Sequence, residues 1–334
     1  MSDATVIATR QGRIGHILLN RPKALNALDI GMIRGITAAL AEWRDDPSVH
    51  AVAMEGAGGK AFCAGGDIRA IRAHALAGEH DAVAAFFREE YALNAMIDEF
   101  PKPYIAIIDG VCMGGGIGLS VHGDIRVTSE TSMFAMPETA IALFPDVGAT
   151  FMLPRLPGAL GMYLGLTGAR LTGADAVHAG LATHFVPKAA IGGLAAALAA
   201  DGPAAVGALS VTPPPFSLAP HREAIDRCFG QDSVAAIIAA LEAEGTEWAT
   251  HALAELRHVS PSAVLWTFEA IRRGAAMTLR GCLAAEFALT RHISVHPEFI
   301  EGVRAMLVDK DRTPKWAPGR IEDVAPAAIA AVFA

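Results

Sequence analysis

With 334 residues, 52% of them hydrophobic and 19% charged, the chain has the composition of a globular protein and not of a disordered one. Its length allows one large domain, or a core with a smaller companion. A net charge of -8 without any basic run argues against nucleic acid as the main partner.

No apolar run reaches membrane-spanning length, because Gly, His or a charge interrupts each candidate. The N-terminus, MSDATVIATRQGRIGH, has an early acidic residue, Asp3, and neither the apolar block of a secretory signal nor an Arg/Ser-rich presequence. A cytoplasmic location is therefore expected. Cys63, Cys112, Cys228 and Cys282 are far apart, so buried, reduced thiols are expected in place of a disulfide framework or zinc site.

Ile14 to Asn20 alternates and is rich in Ile and Leu, which predicts a strand broken at Asn20-Arg21-Pro22-Lys23. Asp29 suits the N-cap of a helix to about Arg44, with Met32, Ile33, Ile36, Leu40 and Trp43 on one face. Val49 to Met54 reads as a second strand, and a glycine-rich loop follows from Gly56 to Asp67. Asp81 to Glu99 is helical by the spacing of Phe86, Phe87, Leu93 and Met96. Tyr104 to Ile108 is apolar throughout, a strand buried on both faces. Met113-Gly114-Gly115-Gly116 leads into an apolar helix through Val121, and 125–127 and 132–136 are short strands. The small-residue stretch from Ala189 to Ala200 predicts one packed helix.

Strands alternating with helices predict an α/β layer structure for residues 1–204. Beyond it, Pro213-Pro214-Pro215 marks a linker, and helical patterns at 221–228, 232–244, 246–257, 260–274, 279–294 and 297–306 predict a helical region over 205–334.

Two segments share one design: a strand, a turn dense in glycine, and a helix start. They are Ala64-Gly65-Gly66-Asp67 and Met113-Gly114-Gly115-Gly116. Glycine lets backbone approach a ligand closely, and a helix start offers unpaired N–H groups with partial positive charge. Two such groups aimed at one point make an oxyanion hole; singly, each cluster reads equally well as a tight turn. Other glycine motifs fail. Leu119 replaces the third glycine of a dinucleotide fingerprint, Met54 and Ala61 break a P-loop, and His122 replaces the closing glycine of a nucleophile elbow. His292 and His296 are four apart, but Pro297 follows directly, so no metal is expected. Between Phe134 and Gly148, Glu138 and Asp146 sit eight residues apart among apolar neighbours. Burial suits a carboxylate to acid–base work, while the spacing alone fits ordinary loop or cap residues too.

Taken in order, Asn20–Ala27, Ala61–Asp67, Met113–Gly116 and Pro137-Glu138 resemble the crotonase (enoyl-CoA hydratase/isomerase) superfamily over roughly residues 1–190. Phe86–Tyr91, Met113–Gly123, Phe134–Gly148, Glu301–Asp311 and Pro314–Trp316 resemble its 3-hydroxyisobutyryl-CoA hydrolase branch and extend the likeness to almost the whole chain, weakest over about 190–257. The resemblance implies a crotonase-like α/β fold, a spiral of ββα units with a C-terminal helical region. It implies an oxyanion hole made by the N–H groups of Gly66 and Gly115, with Glu138 as the main catalytic carboxylate. Asp146 and Glu90 would line the acyl pocket. The loop at Ala64, Asp67 and Ile68, with Arg21 and Lys23, would meet the adenine and phosphate end of coenzyme A. The acyl-CoA is then the substrate and no separate cofactor is implied. Relatives often form trimers or pairs of trimers, which makes a homo-oligomer an expectation as well.

One departure bears on the reaction. Hydratases of this superfamily carry a first catalytic glutamate two positions after the three-glycine run, and here that position is Gly118. The second glutamate is matched by Glu138, and Asp146 stands where hydratases commonly have glycine. The resemblance thus implies thioester hydrolysis more than water addition. Its rivals are an enoyl-CoA hydratase or isomerase on the same scaffold, and a non-catalytic acyl-CoA-binding protein.

Overall fold

The computed structural model describes residues 4–334, so Asp3 lies outside the described residues. Among those residues ten strands are formed: β1 (Val6–Gln11), β2 (Ile14–Leu19), β3 (Ala51–Gly56), β4 (Ala61–Cys63), β5 (Tyr104–Ile108), β6 (Val111–Met113), β7 (Ile125–Thr128), β8 (Met133–Ala135), β9 (Leu171–Thr172) and β10 (His184–Phe185). They make a six-stranded sheet in the order β1-β2-β3-β5-β7-β10 and a four-stranded sheet in the order β4-β6-β8-β9. β1 and β2 pair antiparallel, Val6 opposite Leu19 and Gln11 opposite Ile14. From β2 onward the large sheet is parallel, and the small one is parallel until β9 reverses it.

The chain order is a repeat. One strand enters the large sheet, the next enters the small sheet, and a helix start follows. β3 and β4 precede helix α2 (Ile68–Leu76), and β5 and β6 precede helix α4 (Gly115–Val121). Because β4 and β6 are parallel neighbours, the turns leaving them emerge on the same side of the small sheet.

Residue types explain the elements. β5, Tyr-Ile-Ala-Ile-Ile, is buried throughout, as a central parallel strand should be. Ala51, Ala53, Ile105, Ile107 and Val127 build a core on one face of the large sheet with Leu194, Leu198 and Val206. Helix α1 (Ile30–Arg44) is capped by Asp29, whose Oδ1 accepts from the Met32 N–H at 2.8 Å. Its expected apolar face is buried, and Trp43 takes the room left at Gly15, where a Cβ would lie 2.3 Å from the indole ring.

Some expectations are corrected. β1 was not anticipated, because it is half-exposed and its pattern is polar, as suits an edge strand. The loop 56–67 contains β4. The helix expected over 189–200 is two, Lys188–Ile191 and Leu194–Asp201, parted at Gly192-Gly193, where glycine weakens helix continuity.

Packing divides the chain into two units that interleave along the sequence. The first comprises residues up to Gly66, Glu89–Ala135 and Arg170–Ser217, and it holds both sheets. The second comprises Asp67–Arg88, Met136–Ala169 and Leu218–Ala334. This division does not follow the contiguous 1–204 and 205–334 reading from the order of elements, because two excursions from the α/β half pack with the later helices. Arg72 Nε donates to the Ile300 carbonyl at 2.8 Å, and a Cβ on Gly302 would lie 2.7 Å from the Ile141 carbonyl carbon. The expected helices are Arg222–Phe229, Val234–Glu244, Glu247–His258, Pro261–Gly274, Leu279–Ile293 and Pro297–Val303, the last continued by a π-helical turn, Arg304–Val308. Among the described residues no helix is long and apolar enough to cross a membrane.

The C-terminal signature has a structural use. Arg304 grips Glu301 with two hydrogen bonds of 2.8 Å and donates to Asp309 and Asp311 at 2.7 and 2.6 Å. The Arg304 guanidinium, against the cost of partial burial, pulls the Glu301 carboxyl down to about 2. The tail is thereby fixed, with the Lys315 N–H donating to Glu301 and the Trp316 indole N–H to the His258 carbonyl.

Candidate active site

In the first unit the two glycine turns meet. Gly65 has φ +107° and Gly114 has φ 47° and ψ -120°, backbone shapes that a side chain resists. These bends expose the following amides, those of Gly66 and Gly115. Among the described residues neither N–H has an acceptor. Their closeness is read from the Cα of Gly115: a methyl built there would lie 3.3 Å from the Gly66 nitrogen and 2.5 Å from Glu90 Oε1. Gly66 and Gly115 are thus adjacent donors, and Glu90, only 2% exposed, stands beside them on helix α3 (His80–Asp98). Such preorganised N–H pairs stabilise an oxyanion at no reorganisation cost.

The 20–27 signature buckles the backbone that leads into the Gly65-Gly66 turn. Asn26 is fully buried, and its amide donates to the Ala61 carbonyl at 2.8 Å and to the Ala57 carbonyl at 3.0 Å. Its Oδ1 accepts from the Arg21 N–H. Leu28 N–H donates to the Gly65 carbonyl at 2.8 Å, and Ala64 N–H to the Leu25 carbonyl at 3.1 Å. Arg21 donates to the Ala27 carbonyl and pairs with Asp29 at 3.3 Å, while Lys23 is exposed on the 3-10 turn Pro22–Ala24. Asp67 caps α2 and Ile68 is its first residue.

In the second unit, Glu138 and Asp146 are both buried, at 6% and 4% exposure. Glu138 opens the 3-10 turn Glu138–Ile141. That turn is anchored from the helical region: Ser260 N–H donates to the Thr139 carbonyl at 3.1 Å. Buried Glu298 accepts from both the Ser260 and Ser262 hydroxyls at 2.5 Å. Asp146 precedes two left-handed residues, Val147 at φ 54° and Gly148 at φ 84°. For a β-branched residue that conformation is strained, so the loop must be held by its surroundings.

The holder is Glu286, a residue the sequence reading passed over. It is fully buried on the helix Leu279–Ile293. Its Oε2 accepts from the Gly148 N–H at 2.8 Å, and its Oε1 accepts from the Thr150 N–H at 3.0 Å and the Thr150 hydroxyl at 2.5 Å. Burial first, and then the nearby Asp146 charge, raise its carboxyl to about 8, against the pull of those three donors. A signal was present, since Glu286 breaks an apolar stripe of Cys282, Leu283, Leu289 and Ile293.

All four cysteines are buried free thiols. Burial pushes Cys63, beside the hole, up to about 12, so it is a protonated spacer and not a nucleophile at neutral pH. Among the described residues no group of three or more His, Cys, Asp or Glu is placed to hold a metal.

Paired amides on successive strand–strand–helix repeats form a donor pair of the kind that can bind an acyl carbonyl oxygen. The chain belongs to the enoyl-CoA hydratase/isomerase family, which it matches over residues 14–333. The mitochondrial 3-hydroxyisobutyryl-CoA hydrolase of Xenopus tropicalis is 47% identical over 97% of this chain and 87% of its own length. The human protein of that name is 43% identical over 96% and 86%. A crystal structure described as a carnitinyl-CoA dehydratase of Mycobacterium thermoresistibile shares 42% identity and a TM-score of 0.96, covering 99% of this chain and 97% of its own. One described as an enoyl-CoA hydratase of Rhodobacter sphaeroides has the same identity and coverage, with a TM-score of 0.94. The crotonase-like fold expected from the sequence is the fold found.

Proposed function

We propose that this chain hydrolyses the thioester of 3-hydroxyisobutyryl-CoA or a close short 3-hydroxyacyl relative. The observation that carries the reading is on α4, where buried Gly118 brings no carboxylate to the position of a hydratase's first glutamate. A family site with hole donors and Glu138, but without that partner, suits one-base chemistry. The thioester oxygen is bound by the Gly66 and Gly115 amides. Glu138 takes a proton from water as its oxygen adds to the carbonyl carbon, or its carboxylate adds directly to give a mixed anhydride. The C–S bond then breaks and coenzyme A leaves as a thiol after protonation. On the first route this gives the hydroxy acid directly; on the second it leaves the acyl group on Glu138 as the anhydride, which a water then hydrolyses to the hydroxy acid and free Glu138. Asp146 and Glu90 orient the substrate hydroxyl or the water. Arg21, Lys23, Ala64, Asp67 and Ile68 serve the nucleotide end. The hydrolases named above support this reading.

A second reading, water addition or elimination at the acyl chain, is favoured by the names of the two crystal structures at 42% identity. Free-thiol release separates the two. The first reading expects thiol from 3-hydroxyisobutyryl-CoA and no loss of crotonyl-CoA's conjugated absorbance; the reverse pattern would overturn it. Single turnover in isotopically labelled water divides the routes, since label entering Glu138 requires the anhydride.

A further inference from the structure

We infer that Glu286 is a positioning residue for Asp146: from the helix Leu279–Ile293 it clamps the strained turn after Asp146 and so sets where that carboxylate stands. The inference rests on the reading of Asp146 given above. Three observations carry it. The turn Asp146–Val147–Gly148 contains a left-handed valine, a conformation its own sequence would not choose. The donors that Glu286 collects are the amide of Gly148 and the amide and hydroxyl of Thr150, which lie on either side of the first residue of helix α5 (Ala149–Met152). The Asp146 carbonyl in turn accepts from the Ala149 N–H at 2.8 Å, which completes a chain from Glu286 through the backbone to Asp146.

The residue type fits the task. A carboxyl group, ionised or protonated, keeps acceptor capacity on both oxygens for donors on two sides. A glutamine keeps one acceptor and turns its NH2 group toward an N–H. A buried charged or acidic group is also costly to keep, and here it replaces an apolar residue in a helix face that packing alone would have filled. Helix α5 is fixed from behind as well, for a Cβ on Gly274 would lie 2.0 Å from the Thr150 carbonyl oxygen. With one side rigid, loosening Glu286 releases its strain toward Asp146.

The test is a double-mutant cycle of Glu286→Gln and Asp146→Asn, measured by thiol release with kcat and KM resolved. Glu286→Gln is expected to lower kcat between about ten- and a hundredfold, the cost of a misplaced group near the reacting atoms, while KM changes little. In the Asp146→Asn background the same change should cost almost nothing further, because both act through one carboxylate. Additive losses, or wild-type kcat in Glu286→Gln, overturn the inference. Wild-type kcat in Asp146→Asn refutes instead the reading of Asp146. Should Glu286→Gln fail to fold, Thr150→Val removes one donor and keeps the carboxylate. A lower kcat at unchanged KM supports the clamp, and an unchanged kcat overturns it.

Discussion

Gly115→Ala separates the oxyanion hole from the fold that carries it. The added methyl would sit 2.5 Å from Glu90 Oε1, 3.3 Å from the Gly66 nitrogen and 3.3 Å from Leu28 Cδ1. The first contact is relieved by moving the end of a flexible side chain; the second is not, because Gly66 is backbone pinned through Leu28 and Gly65. The methyl therefore crowds the Gly66 amide, the donor assigned to the oxyanion. Losing one such donor costs about 10²–10³ in kcat, or about 2.7–4 kcal/mol of transition-state stabilisation. Folding should not suffer equally, since Gly115 starts helix α4 and alanine favours a helix by about 1 kcal/mol. The assay is kcat by thiol release beside the midpoint of thermal unfolding. Near-wild-type turnover in a normally folded variant would refute the assignment of Gly115 to the hole.

Three further outcomes are expected. The Glu286 carboxyl, ordinarily near 4.5, is held at about 8, so its share of stability is full below pH 4.5 and is lost as pH rises toward 8. The wild type should therefore lose ground to Glu286→Gln by up to about 1.4 kcal/mol per pH unit across that window, and a constant difference in denaturant unfolding would contradict it. Gly274→Ala, with its methyl 2.0 Å from the Thr150 carbonyl oxygen, should destabilise by about 1–3 kcal/mol through overpacking, read as a lower unfolding midpoint. Asn26→Ala strips two carbonyls of their donor in a buried turn and should cost about 2–3 kcal/mol, with kcat falling as the hole loosens.

Legibility in the sequence follows the range of the interactions. Helix α1 was readable from Asp29 and its apolar face, because capping and periodicity are local. The two hole turns were readable as glycine clusters, since positive φ at Gly65 and the unusual bend at Gly114 demand that residue within the turn itself. Asn26 was visible only as part of a signature; its job, bonding to Ala57 and Ala61, depends on a pairing about thirty residues away in sequence that no local rule encodes. Glu286 was missed for the same reason, as its partners lie more than a hundred residues earlier. The 204/205 boundary followed the change from alternating strands and helices to helices alone, whereas packing sorts residues 67–88 and 136–169 with the C-terminal helices.

That interleaving sets an order of assembly. Every strand of both sheets precedes residue 186, so the first unit has its parts while the ribosome is still supplying the rest. The amides of Gly66 and Gly115 belong to that early half. The turn bearing Glu138 waits for Ser260 and Glu298, and the turn bearing Asp146 waits for Glu286. Contacts across such sequence separations form late and slowly. A nascent chain of this protein would thus complete its two glycine turns long before the turns bearing Glu138 and Asp146 are held in place.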